Sequence, residues 1–228
     1  MSGFDSYAHD YDTALNRGIA VSGEDKTFFA KGRILWLSRC LKKLGFAPKS
    51  VLDYGCGTGT ATPFFIDVLG AESVVGVDLS AKSLEVARQV HAGLPVEYAL
   101  TSDYTPTGSI DLAFCNGVFH HVPRDKRAET AQYIAGCLRP GGLFALWENN
   151  PCNPGARYVM SRIPFDRDAI PLSPREARAV MRDAGLDPVR TDYCFIFPRF
   201  ASLLRVLEPY FVKVPVGAQY QVLGRRPA

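Results

Sequence analysis

From Ser50 to Asn149 the chain alternates short apolar runs with amphipathic stretches, and this rhythm restricts the possible folds more than any other feature. The runs are "SVLDY", "SVVGVDL", "PVEYAL", "SIDLAFCN" and "LFALWEN". Each is four to eight residues rich in branched or aromatic side chains and reads as a buried strand. Between them, "TATPFFIDVLG" reads as a helix closed by Gly70, and "SAKSLEVARQV" as one capped by Ser80. "RDKRAETAQYIAGCLRPGG" reads as a third, with Pro-Gly-Gly as its stop. Strands that alternate with helices form βαβ units, which implies an α/β fold with a parallel sheet covered on both faces.

The flanks complete a single domain over 1–228. Residues 1–45 are a helical cap, with a short helix around 4–16 and a longer one from Glu24 to Leu44 that Gly45 and Pro48 end. Residues 46–150 are the alternating core. Residues 151–172, "PCNPGARYVMSRIPFDRDAIPL", break the rhythm: four prolines argue against one long helix, and so long a connection is often functional. In 173–228, Ser173, Pro174 and Glu176 spell a capping box, and Gly185 stops that helix. A strand "VRTDYCFIF", a short apolar helix near 199–208 and a last strand "AQYQVLG" follow.

Charge is unevenly spread. Residues 1–150 sum to −2 and residues 151–228 to +5, with arginine supplying all but one of the later cations. This is either a solvated face or a pocket for an anionic or polar substrate; a duplex-binding protein would carry a stronger basic stripe. The six cysteines form no CxxC pair and no Cys/His cluster of zinc-like spacing, so no metal site is expected. Most of them fall in apolar runs, which fits a reduced, cytoplasmic protein. The N-terminus is acidic and polar, unlike a secretory signal, and no apolar run reaches membrane-spanning length, so no membrane partner is expected.

The first strand runs into "YGCGTGT". A glycine-rich turn between a strand and a helix lets a nucleotide-like ligand approach the backbone, beside the positive end of the helix. Asp78 stands about 20 residues on, where an acid binds ribose hydroxyls. Dinucleotide sites use GxGxxG. Here Gly55, Gly57 and Gly59 are spaced GxGxG, and Asp53 precedes them; a carboxylate there suits a cation better than a pyrophosphate.

"LDYGCGTG" resembles the first motif of the class I S-adenosylmethionine-dependent methyltransferases. "VVGVDLS", "YALTSDY", "DLAFCNGVFHHV" and "LRPGGLFALWEN" are similar to the motifs that follow it, in order, over about residues 50–150. The resemblance implies a Rossmann-like, seven-stranded, mostly parallel sheet with an antiparallel last strand. It implies S-adenosyl-L-methionine cradled by Gly55, Cys56, Gly57, Thr58 and Gly59, with Asp53 beside it. Asp78, followed by Leu79, would hold the ribose; Asp103 would hold the adenine, with Ser102 or Tyr104 sharing that contact; Asn116 would lie along the methionine part. In related small enzymes a basic residue ahead of the first strand reaches the cofactor carboxylate, here Arg33, which otherwise lies on a solvated helix face. "FDSYAHDYD" resembles the N-terminal cap of quinone- and biotin-pathway methyltransferases, whose tyrosines close over the cofactor; Tyr7 and Tyr11 match by spacing.

Methyl transfer from a sulfonium is an in-line displacement with a neutral leaving group, so a base is needed only where the acceptor must lose a proton. The base candidates are His120, His121 and Glu148, at the C-terminal ends of the fourth and fifth strands. His120 and His121 otherwise fill a turn, and Glu148 otherwise pairs with an arginine. Substrate candidates are Tyr7, Trp147, Asn149, Arg162 and Asp168, the last two in a proline-framed loop that also carries Asp166 and Arg167. Trp147 is otherwise core, and the loop charges otherwise satisfy one another. The reading is a methyltransferase for a small-molecule acceptor, oxygen or nitrogen before carbon, in a monomer or homodimer. An RNA methyltransferase, a Rossmann-type oxidoreductase and a non-catalytic subunit of the same fold are the alternatives. "NGVF" stands where amino-directed base methylation uses an N/DPPY-type tetrapeptide.

Overall fold

Period-two alternation along the central strands sends successive side chains into two cores, one on each face of a sheet. A computed structural model describes residues 18–166 and 168–228. Tyr7, Tyr11, the helix expected over 4–16 and Arg167 lie outside the described residues. The strands are β1 Ser50–Tyr54, β2 Ser73–Asp78, β3 Val96–Leu100, β4 Ile110–Asn116, β5 Leu138–Asn149, β6 Asp187–Cys194 and β7 Gln219–Arg225. Leu112, Phe114, Leu143, Ala145 and Trp147 face one core, joined by Ile34, Leu37 and Leu41 of helix α1, Lys26–Lys43. Ala113, Cys115, Phe144 and Leu146 face the other.

One seven-stranded sheet runs β3-β2-β1-β4-β5-β7-β6. The first five strands are parallel, and β7 lies antiparallel to both β5 and β6. The chain builds outward from β1 to β3 and then returns to place β4 beside β1. That reversal opens a crevice at the carboxyl ends of β1 and β4, where α/β sheets bind ligands. The helices are α2 Thr62–Leu69, α3 Ala81–Val90, α4 Arg127–Cys137, α5 Pro154–Arg162, α6 Pro174–Asp183 and the short α7 Glu208–Phe211. No helix among the described residues is long and apolar enough to cross a membrane.

The caps behave as their residues require. Ser80 accepts from the Ser83 amide, and Ser173 and Glu176 form the reciprocal capping box. Gly70 and Gly185 end their helices at φ 72° and 76°. Four local readings change. Helix α4 stops at Cys137, and β5 starts at Leu138, before Pro140-Gly141-Gly142 rather than after it, with an irregular register against β4 between Ile110 and Leu112. Residues 151–172 hold a helix, α5, whose start carries the usual signals: Asn153 accepts from the Ala156 amide and Pro154 sits in the first turn. Strand β6 stops at Cys194, because Phe195 turns into the left-handed region at φ 61°. The apolar segment near 199–208 is a 3₁₀ helix, Arg199–Leu207, that leaves Phe200 and Leu203 exposed.

Candidate active site

The loop after β1 uses its glycines for different ends. Gly55, Gly57 and Gly59 take φ of 72°, 53° and 74°. A Cβ on Gly55 would stand 2.3 Å from Val118 Cγ2, and one on Gly59 2.5 Å from the Tyr98 hydroxyl. At Gly57 nothing lies within 4 Å, so this backbone faces open space. The amides of Gly55 and Cys56 donate to the Val77 carbonyl at 2.8 and 3.1 Å. The Gly57 amide donates to Asp78 Oδ2 at 2.8 Å, and Asp78 Oδ1 accepts from the Ser80 amide at 2.9 Å. Asp78 therefore ties the loop to the end of β2.

Asp53, two residues before Gly55, is buried beneath this loop. Burial, with the Asp78 charge adding to it and Arg33 opposing, pushes its carboxyl up to about 7. Asp53 makes no side-chain hydrogen bond among the described residues, so its carboxylate suits a cation brought by a ligand. Opposite it, Arg33 Nε donates to Gln219 Oε1 at 2.9 Å, and Gln219 Nε2 donates to Asn149 Oδ1 at 3.2 Å.

A cavity of about 640 Å³ opens over these groups. Asp53, the loop from Gly55 to Thr58, Arg33, Asn116 and Asn149 line it, and so do His120, His121 and Asp166. Its outer wall is aromatic: Phe29 packs against Phe28 and Phe195 with ring centroids 5.4 and 5.0 Å apart.

The turn after β4 is held from several sides. Glu148, buried at the end of β5, accepts from the Phe119 amide at 2.8 Å and bonds His120 Nδ1 at 2.6 Å. Buried Arg127 donates to the carbonyls of Phe119, Val122 and Ile170, while the Ile170 amide donates to the His120 carbonyl at 2.8 Å. These bonds clamp the 163–170 segment to the histidine turn. Asp166 Oδ1 then lies 3.4 Å from His120 Nε2 and 3.3 Å from His121 Nε2. Burial works against a charged His120 ring, but the Glu148 charge and the bonds to Asp166 and Glu148 outweigh it and raise the ring to about 10. The same contacts keep Asp166 below the usual carboxylate range despite its burial.

Several candidates stand elsewhere. Trp147 is wholly buried in the α1-side core, because its place in β5 points it away from the cavity; its indole nitrogen has no partner among the described residues. Arg162 is turned outward by α5, where it donates to the Tyr158 hydroxyl at 2.8 Å and stacks on that ring. Asp168 is exposed and does not line the cavity, whereas Asp166, two residues earlier, does. Glu148 stands behind His120 and does not reach the cavity. The contacts with Glu148 and Asp166 favour the protonated His120 ring, which disfavours it as a base. Leu79 is 64% exposed beside Asp78. Ser102 and Asp103 lie exposed past β3, with the Ser102 hydroxyl donating to Asp103 at 2.8 Å. Asp166, Gln219 and Arg127 were not singled out as site residues. Asp166 had a signal, lying between Pro164 and Pro171; the other two are recognisable only once β7 and α4 are packed.

Residues 51–142 match a family model described as a methyltransferase domain. The ubiquinone biosynthesis O-methyltransferase of Bordetella bronchiseptica is 32% identical over 171 residues, which cover 68% of each chain. The chain belongs to the class I S-adenosylmethionine-dependent methyltransferases. It is thus an enzyme of the small-molecule type, with S-adenosylmethionine as its cofactor. The trans-aconitate 2-methyltransferase of Rhodopseudomonas palustris is 30% identical over 118 residues, covering 52% of this chain and 45% of that one. In the solved complex of the Haloferax volcanii Trm112 methyltransferase activator with a methyltransferase, one chain shares the fold. Its TM-score is 0.68 at 20% identity, and the match covers 100% of this chain and 99% of that one. The methyltransferase domain model and these relatives give no support to a nucleotide-linked oxidoreductase or an RNA methyltransferase.

The site fits that cofactor on its own chemistry. A carboxylate at Asp53 that lines the cavity suits an ammonium, and open backbone at Gly57 leaves room for the ligand's body.

Proposed function

We propose that this enzyme methylates an oxygen of a compact, largely apolar small molecule. The observation that carries the reading is the make-up of the cavity: an aromatic wall of Phe28, Phe29 and Phe195 facing a polar end of His121 and Asp166, next to the glycine loop. An apolar body would fill the wall, and one hydroxyl or acid group would reach the polar end. One relative supports oxygen as the acceptor atom, since it is named an O-methyltransferase.

S-adenosylmethionine supplies an activated methyl group on a sulfonium. Asp53 would hold its ammonium, Asp78 its ribose, and the backbone from Gly55 to Gly59 its body. Leu79, Ser102 and Asp103 would hold the base. Arg33, steadied by Gln219, would hold the carboxylate, and Asn116 the methionine part. Across the cavity, Asn149 and the His121–Asp166 pair orient the acceptor oxygen. Glu148 and Arg127 keep that pair in place and the aromatic wall excludes water; alignment of this kind supplies roughly 7–11 kcal/mol of the barrier reduction.

The test is transfer of a labelled methyl group to matched sets of phenols, enols, carboxylic acids and amines of similar size. Labelled ethers or esters from apolar members are expected. Labelled amines alone would overturn the assignment to oxygen.

A further inference from the structure

We propose that His120, His121 and Asp166 form a binding site for a divalent transition-metal ion, with zinc the archetype, that receives the acceptor oxygen. The inference builds on the O-methyl transfer reading above but stands on its own geometry. One ligand atom from each residue, Nε2, Nε2 and Oδ1, lies within 4.8 Å of the other two. The two histidine nitrogens stand 3.4 and 3.3 Å from the shared carboxylate oxygen. Metal–ligand bonds of about 2.0–2.2 Å at a tetrahedral angle place neighbouring ligand atoms about 3.4 Å apart. The two edges that end on Asp166 match that spacing.

The surroundings have the features of a metal centre. Glu148 bonds the far nitrogen of His120 at 2.6 Å, the carboxylate–histidine arrangement that fixes a ligating ring and strengthens it. A divalent ion at His120 Nε2 would take the place of the proton that the ring otherwise holds, and the nearby charges of Glu148 and Asp166 favour a cation there. Two imidazoles with one carboxylate are a borderline donor set, suited to zinc, cobalt or iron rather than magnesium or calcium. Three protein ligands that also line the cavity leave further positions open toward the acceptor, as catalytic rather than structural metal sites do. Spacing along the chain hides the site, since Asp166 lies 45 residues after the histidines and the Arg127 clamp brings it back.

An acceptor hydroxyl in an open position would lose its proton to water more readily, because the ion stabilises the oxygen anion. That oxygen then forms the new bond to the methyl carbon. The carbon–sulfur bond breaks, and its electron pair stays on sulfur as a neutral thioether.

The experiment uses the full chain, stripped with a chelator, dialysed and titrated with Co²⁺ alone. Calorimetry and the visible absorption of cobalt are the readouts. One equivalent with the spectrum of a four- or five-coordinate ion is expected, with affinity at least tenfold weaker in His121→Ala and Asp166→Ala. Glu148→Gln should weaken it by roughly 10–100-fold. Should Asp166→Ala fail to fold, His121→Ala carries the test, since that ring is partly exposed. An absence of binding, or binding that His121→Ala leaves intact, overturns the site. Titration of the same stripped protein with S-adenosylhomocysteine keeps the outcomes apart. If that product binds and cobalt does not, the metal proposal alone falls.

Discussion

Replacing Asp53 with Asn should stabilise the free protein while crippling cofactor binding. The carboxyl is shifted by burial from 3.8 to about 7. The folded state therefore holds the Asp53 proton more tightly than the unfolded chain does. Stability falls as pH rises from about 4 to about 7 and stays lowered above that. At about 1.36 kcal/mol per unit, the ionised group costs the fold about 4 kcal/mol at pH 8. A buried amide without partners takes back roughly 1–3 kcal/mol of that. Asp53→Asn should thus gain about 1–3 kcal/mol at pH 8, a rise of about 3–10 °C in Tm for a chain of this size. Near pH 4, where wild-type Asp53 is protonated, the gain should give way to a loss of about 1–3 kcal/mol. Thermal unfolding of both proteins across pH 4–8, without ligand, reads the difference. Calorimetry should show at least tenfold weaker binding of S-adenosylhomocysteine in the variant. In wild type that binding should weaken about tenfold per pH unit below about 7. Equal Tm values at pH 8 would refute the idea that Asp53 is an unsatisfied charge waiting for a cation.

Further changes probe the frame around it. Gly55→Ala puts a Cβ 2.3 Å from Val118 Cγ2 at positive φ, so urea unfolding should show a loss of about 1–3 kcal/mol, with cofactor binding impaired as well. Asp78→Ala frees the amides of Gly57 and Ser80 along with the acceptors for ribose; calorimetry should show product affinity reduced more than tenfold. Arg127→Met removes the donors that join Phe119, Val122 and Ile170, and chemical denaturation should report a loss of about 2–4 kcal/mol. Its methyl transfer rate should fall further than the loss of folded protein explains, because His121 and Asp166 are no longer clamped together.

Local signals account for most of the sheet. Ser80, Ser173 with Glu176, Gly70 and Gly185 each act through neighbours within a few residues, and their elements lie where those residues imply. The alternating runs carry the split between the two cores, so the order of strands and helices was legible as well. Misreadings arose where tertiary pairing wins: β5 begins at Leu138 because that residue pairs with Ile110, a partner no local pattern reveals. The cofactor half of the site was legible because Asp53, the glycines and Asp78 lie on consecutive βα turns. The acceptor half was not. Trp147 and Glu148 were drawn to it by their place at the end of β5, yet strand alternation buries the first and Glu148 turns to His120. Among the described charged residues of the proline-framed loop, the one that enters the cavity is Asp166, since Ile170 is tied to His120 and Arg162 is spent on Tyr158.

The most direct measurement is a crystal structure with S-adenosylhomocysteine bound. The geometry above predicts its ammonium within hydrogen-bond distance of Asp53 and its sulfur facing the polar end of the cavity at His121 and Asp166. A sulfur turned away from those two residues, or an ammonium held elsewhere than Asp53, would contradict it.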